Sequence, residues 1–120
     1  MENQRLLVID DEEAILQMVK EHFELRGFEV FSASDGEEGL ELATKTNPHV
    51  ILLDLKMKKT DGEKILPQLR LSLPQTKIFV VSAHQEETTK KKLQEEGIDS
   101  FFEKPVSILE LEQIIRKCLG

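Results

Sequence analysis

Val50-Ile51-Leu52-Leu53-Asp54 sets four apolar residues in a row and closes them with an acid. A strand covered on one face alternates apolar with polar residues. An unbroken apolar run therefore reads as a strand buried on both faces, as in a parallel sheet. Leu6-Leu7-Val8-Ile9 and Ile78-Phe79-Val80-Val81 repeat the pattern. Phe28-Glu29-Val30-Phe31 is broken by a charge and Ser100-Phe101-Phe102-Glu103 is short, so both are expected at or near sheet edges.

The segments between these runs read as helices. From Glu12 to Arg26 the residues Ile15, Met18, Val19, His22 and Phe23 recur at helical spacing, and Gly27 follows as a stop. A second helix turns Leu40 and Ala43 inward and ends before Asn47-Pro48. A third runs from Gly62 to Ser72, before Pro74, and a fourth from Gln85 to Glu96, before Gly97. The fifth opens with the capping box Ser107-x-x-Glu110 and buries Leu111, Ile114 and Ile115, with Cys118 a further inward candidate. Pro67 lies inside the third helix, where it costs about 3 kcal/mol unless that helix starts late or kinks.

Five strands alternating with five helices in 120 residues suit right-handed βα crossovers and fall short of an eight-fold barrel. The expectation is an α/β fold: a doubly wound, five-stranded parallel sheet in the order 2-1-3-4-5, with residues 1–120 forming one domain. The balance of 16 Lys and Arg against 23 Asp and Glu gives a net charge of −7, which argues against nucleic-acid binding. The single cysteine, Cys118, excludes an intramolecular disulfide framework and suits a reducing compartment. No apolar run approaches the roughly 20 residues of a membrane span. Glu2 and Asp10 come too early for a signal peptide, so the expected location is the cytoplasm.

A doubly wound sheet binds ligands beyond the carboxyl ends of its strands, beside the point where strand order reverses. The first strand ends in Asp10-Asp11, the third in Asp54, the fourth in Ser82-Ala83 and the fifth in Lys104-Pro105. The second ends in Ser32-Ala33-Ser34 and brings no charge. Each residue has an ordinary alternative: Asp11 as a helix cap, Ser82 as a turn residue, Lys104 as a solvated side chain, Lys104-Pro105 as a loop with a cis bond. Convergence at four neighbouring strand ends argues for a site. Three crowded carboxylates repel one another, and a divalent cation removes the conflict. Oxygen-only ligation favours Mg²⁺ over Zn²⁺, with Mn²⁺ as a substitute. An ionised aspartate beside such an ion and a lysine can attack an anionic electrophile, which points to phosphoryl transfer.

The motifs Val8-Ile9-Asp10-Asp11-Glu12, Leu52-Leu53-Asp54-Leu55-Lys56-Met57, Asp61-Gly62, Ser82-Ala83 and Phe101-Phe102-Glu103-Lys104-Pro105 follow one another in order. In this the chain resembles the receiver domain of two-component response regulators, similar to the stand-alone chemotaxis type, whose fold is flavodoxin-like. The resemblance implies that Asp54 accepts a phosphoryl group from a sensor histidine kinase or phosphotransfer protein. It implies direct Mg²⁺ binding by Asp11, Asp10 acting largely through water, and the Lys56 carbonyl completing the protein ligands. Lys104 would pair with the phosphoryl oxygens, Ser82 would hydrogen-bond to one, and the Ala83 N–H would meet another. Phe101 would be the switch aromatic, turning inward as Ser82 moves, with the fourth helix, fifth strand and fifth helix as readout surface. Lys56 and His84 fall at the rate-tuning positions.

Such a module assists its own phosphorylation but is not a conventional turnover enzyme. Its partners would be the kinase and a downstream protein or fused output domain, with a phosphorylation-linked homodimer as an option and no membrane. Three departures stand out: Ser82 replaces the commoner Thr, Phe101 the commoner Tyr, and Lys58-Lys59-Thr60 the usual proline after Met57. The alternatives are a Mg²⁺-dependent phosphatase with an aspartyl nucleophile, which would space its acids at i and i+2, and a degenerate receiver that is never phosphorylated.

Overall fold

In the computed structural model, which describes residues 3–120, the apolar runs form five parallel strands. Glu2, invoked above against a leader segment, lies outside the described residues. The strands are β1 (Arg5–Ile9), β2 (Glu29–Ala33), β3 (Val50–Leu53), β4 (Lys77–Ser82) and β5 (Ser100–Glu103). The helices are α1 (Glu13–Leu25), α2 (Gly36–Thr46), α3 (Gly62–Ser72), α4 (Glu87–Glu95) and α5 (Ile108–Leu119). Hydrogen bonding joins the strands in the order β2-β1-β3-β4-β5, so the two interrupted runs do occupy the edges.

Two faces explain the continuous apolar runs. Leu7, Ile9, Ile51, Leu53, Ile78 and Val80 pack on one side with Ala43 of α2, Ile65, Leu66 and Leu69 of α3, and Leu93 of α4. Leu6, Val8, Val50, Leu52, Phe79 and Val81 pack on the other with Leu16, Val19 and Phe23 of α1 and Leu111 and Ile115 of α5. Each fully buried Leu, Ile or Phe contributes about 1.5–3 kcal/mol, so the central strands carry much of the fold's stability.

Several local expectations change. Helix α1 buries Leu16, Val19 and Phe23, whereas Met18 is 37 % exposed. His22 turns to Glu112 on α5 rather than into the core. Apolar residues at 15, 16, 18, 19 and 23 define two overlapping stripes, and docking against α5 selects the one through Leu16. Cys118 is exposed. Helix α3 runs unbroken through Pro67. Pro67 is exposed, so its ring lies on the solvent side of the helix. Helices α1 and α4 end at Gly27 (φ +89°) and Gly97 (φ +97°), conformations that glycine adopts without the cost of a Cβ.

Candidate functional site

Strand order reverses between β1 and β3, and Asp54 leaves β3 with its N–H donated to the Ile9 carbonyl at 3.0 Å. That bond places the two chain exits, Asp10 and Asp54, side by side. Both acids are buried, at 3 % and 5 % exposure. Gly62 packs directly on the exit of β3: its N–H donates to the Leu55 carbonyl at 2.8 Å, and a Cβ there would overlap the Asp54 carbonyl oxygen and Leu55 Cα.

Asp54 is held from three sides. Its Oδ1 accepts from the Ser82 hydroxyl at 2.8 Å and the Lys56 N–H at 3.2 Å, and its Oδ2 accepts from Lys104 Nζ at 3.4 Å. Ser82 is fully buried, so its hydroxyl depends on this bond. Lys104 Nζ also donates to Asp10 Oδ2 at 3.0 Å and Glu12 Oε1 at 3.1 Å. The Lys104–Pro105 peptide bond is cis.

The cluster differs from the expected one in a single member. Carboxylate oxygens of Asp10, Glu12 and Asp54 lie within 4.8 Å of one another and offer a set that suits a metal ion. Asp11 is not one of these three; its Oδ2 accepts from the Lys58 N–H of the β3–α3 loop at 2.8 Å. The chain bends at Asp11 on leaving β1, and Glu12 takes up an extended backbone at the N-cap of α1 (φ −86°, ψ 110°). Asp10 Oδ1, not Asp11, accepts from the Glu12 N–H at the helix start.

Electrostatics follow from three acids sharing one base. Burial raises the Asp10 pKa, and the Asp54 charge adds to the shift against the bonds from Glu12 N–H and Lys104. Burial alone would disfavour the Lys104 charge, but its bonds to Asp10 and Glu12 and the charges of Asp10 and Asp54 outweigh that and raise its pKa. Lys104 is thus a permanent cation at neutral pH, and the three carboxylates already converge on one positive charge. The donor set, all oxygen and hard, fits Mg²⁺.

The remaining expected residues surround this centre. Ala83 and His84 are exposed beyond β4, and His84 Nδ1 donates to Glu103 Oε1 at 2.6 Å. Phe101 is partly buried against the α2–α4 side of the sheet, with Lys90 Nζ 5.2 Å from its ring centroid. A cavity of about 450 Å³ opens beside Asp54 and Lys104, walled by Ile15, Met18, Val81, Val106 and Leu111. Among the described residues, no helix is long and apolar enough to cross a membrane.

Residues 6–116 match the family model of the response regulator receiver domain. The chain belongs to that family. Receiver domains are signalling modules of two-component systems that work with histidine kinases or phosphotransfer proteins and with output domains. The chain is 36 % identical over 117 residues to the alkaline phosphatase synthesis transcriptional regulatory protein PhoP of Bacillus subtilis, covering 98 % of this chain and 49 % of PhoP. It is 29 % identical to sporulation initiation phosphotransferase F of the same organism, covering 99 % of this chain and 96 % of that protein. The chain thus spans about half of a transcriptional regulator and nearly all of a phosphotransferase. Among solved structures, a CheY-like receiver domain protein from Methanospirillum hungatei superposes with a TM-score of 0.94 at 27 % identity, covering 98 % of this chain and 94 % of that one. A Francisella response regulator receiver domain gives 0.84 at 36 % identity, covering 98 % and 95 %.

Proposed function

We propose that this receiver domain, taken as residues 1–120, accepts a phosphoryl group on Asp54 from a phosphohistidine donor and relays the event to its α4–β5–α5 face. The observation that carries the reading is the convergence on Asp54 of one hydroxyl, one ammonium and two further carboxylates at the carboxyl end of the sheet. An Asp54 oxygen forms the new O–P bond as the donor's N–P bond breaks and its imidazole departs. Asp10, Glu12 and Asp54 would hold Mg²⁺, with Asp11 and the Lys56 carbonyl, which the family resemblance adds, completing the set. The bound ion supplies charge neutralisation at the phosphoryl oxygens. Lys104 adds a second positive charge on the same side, and the Ala83 N–H offers a donor to the transferred group.

Phosphorylation adds about −1.5 to −2 charge and strong acceptor oxygens at Asp54. Ser82 then has a new partner in place of the Asp54 carboxylate, and its movement leaves room on the sheet face that Phe101 fills. A charge change becomes a packing change on the outer surface. Lys56 and His84, at the rim, govern access of the water that reverses the reaction. The apolar slot between Ile15, Met18 and Val106 suits a side chain of the phosphodonor protein. The downstream partner is a separate protein or a fused output domain, and the setting is the cytoplasm.

Acetyl phosphate with Mg²⁺ tests this directly. Mass spectrometry should find one added phosphoryl group on the wild type, none after chelation, and none on Asp54→Asn. An unmodified wild type, or a label retained by Asp54→Asn, overturns the proposal. Sustained turnover of phosphoesters would favour the phosphatase alternative instead.

A further inference from the structure

Helix α4 buries one residue, Leu93. Position 90 lies three residues earlier on the same helical face, where an apolar side chain is expected. The chain places Lys90 there; its side chain is 28 % exposed, while Lys91 and Lys92 stand in solvent. Its ammonium lies 5.2 Å from the centroid of Phe101, within the range of a cation–π contact. A phenyl ring has no hydroxyl through which to be held, so its face is its one electrostatic handle. The neighbouring Glu87 carboxylate is 3.8 Å from the same ammonium but 94 % exposed, and such a pair constrains little.

Phe101 is also in reach of the site. It pairs with Val80 across the β4–β5 ladder, and Val80 and Ser82 share a sheet face. Ser82 in turn bonds to Asp54 at 2.8 Å. A row therefore runs from Asp54 through Ser82, Val80 and Phe101 to Lys90 on α4. We infer that Lys90 is a positioning residue for the switch aromatic, its ammonium retaining the Phe101 ring at the α4 edge while Asp54 is unphosphorylated. This rests on the Asp54–Ser82–Phe101 relay proposed above. By linkage, whatever retains the ring opposes the phosphorylated arrangement, so removing the cation strengthens binding of a phosphoryl analogue.

The test uses the full chain with ¹³C-labelled phenylalanine rings, titrated with beryllium fluoride in Mg²⁺. In Lys90→Met, which keeps the stem, the unliganded Phe101 resonances should move toward their beryllium fluoride-bound positions. The titration midpoint should fall by about two- to five-fold, the span of an exposed cation–π contact. Lys90→Arg, which restores a cation over the ring, should return both readouts to wild type, and Glu87→Gln should leave both unchanged. Wild-type behaviour in Lys90→Met overturns the inference alone. So does Lys90→Arg behaving like Lys90→Met, or Glu87→Gln reproducing its effect. If beryllium fluoride binds the wild type without moving Phe101, the relay itself fails.

Discussion

Two charge clusters in this small domain are built from the same groups in opposite proportion. At the carboxyl end of the sheet, Asp10, Glu12 and Asp54 share the single ammonium of Lys104. Between α1 and α5, the single carboxylate of Glu112 accepts from His22 Nε2 at 2.7 Å, Arg26 Nε at 2.8 Å and Arg116 Nε at 2.8 Å. The first has too few cations and the second a surplus. The pKa shifts follow the same division: burial and a neighbouring acid raise the Asp10 pKa, whereas the Arg116 bond, followed by those from His22 and Arg26, lowers Glu112 to about 2. A cation-poor cluster is costly to the fold and receptive to an ion or phosphoryl group; a cation-rich one is saturated and only holds two helices together. The proposed phosphoryl transfer is placed on the first.

The contrast makes Lys104 the most sensitive position. Lys104→Met keeps the stem but leaves three carboxylates without a counter-charge, two of them buried. Without divalent ions at neutral pH, chemical denaturation should show a loss of about 3 kcal/mol. Mg²⁺ should restore most of it, and so should acid. Unpaired carboxyls have folded pKa values above their unfolded ones, so the penalty fades as pH falls through the raised values. A variant as stable as wild type would mean that the carboxylates do not depend on the ammonium. The same variant should still bind Mg²⁺ yet transmit phosphorylation poorly.

Glu112→Gln comes next. The wild-type carboxylate is depressed from an ordinary 4.5 to about 2, so its contribution is present above pH 4.5 and is lost as pH falls through about 2. Glu112→Gln should melt earlier at neutral pH and show a flatter melting temperature between pH 4.5 and 2. Parallel profiles would remove Glu112 from the ledger of acid sensitivity. Asp10→Asn should act in the opposite direction. Its folded pKa lies above 3.8, so the ionised form weighs against the fold at neutral pH. The neutral isostere should raise stability in chemical denaturation while Mg²⁺-dependent labelling of Asp54 declines, the trade expected at a site that holds repulsion for function.

How far the sequence discloses these clusters depends on range. The sheet is legible because an apolar run needs two covering layers wherever it occurs, and the edge strands because Glu29 and Glu103 admit water. Asp54, Ser82 and Lys104 are legible because strand ends of a doubly wound sheet converge by topology alone. Glu12 is not, because its place beside Asp10 and Asp54 depends on the bend at Asp11 between β1 and α1, which apolar patterning does not report. The Glu112 cluster spans residues 22 to 116 and depends on how α1 docks on α5. Met18 and Cys118 mislead for the same reason, since helical periodicity names candidate stripes but only the partner helix chooses one.

The smallest expected effect is the sharpest check on the comparison. Arg26 is 37 % exposed and donates to the same Glu112 oxygen as His22, while Arg116 occupies the other. Arg26→Met removes one donor of three and leaves both oxygens bonded. Arg116 is further steadied by its position 5.5 Å from the Phe28 ring centroid, so the α1–α5 contact keeps its geometry. Stability should change by about 0.5 kcal/mol or less, the scale of an exposed ion pair. A loss near that of Lys104→Met would mean that the surplus of cations is only apparent, with Arg26 the one that counts. A negligible loss, beside a large one at Lys104, would establish that the number of cations per carboxylate, rather than the presence of an ion pair, separates the acid-rich end of this domain from its α1–α5 flank.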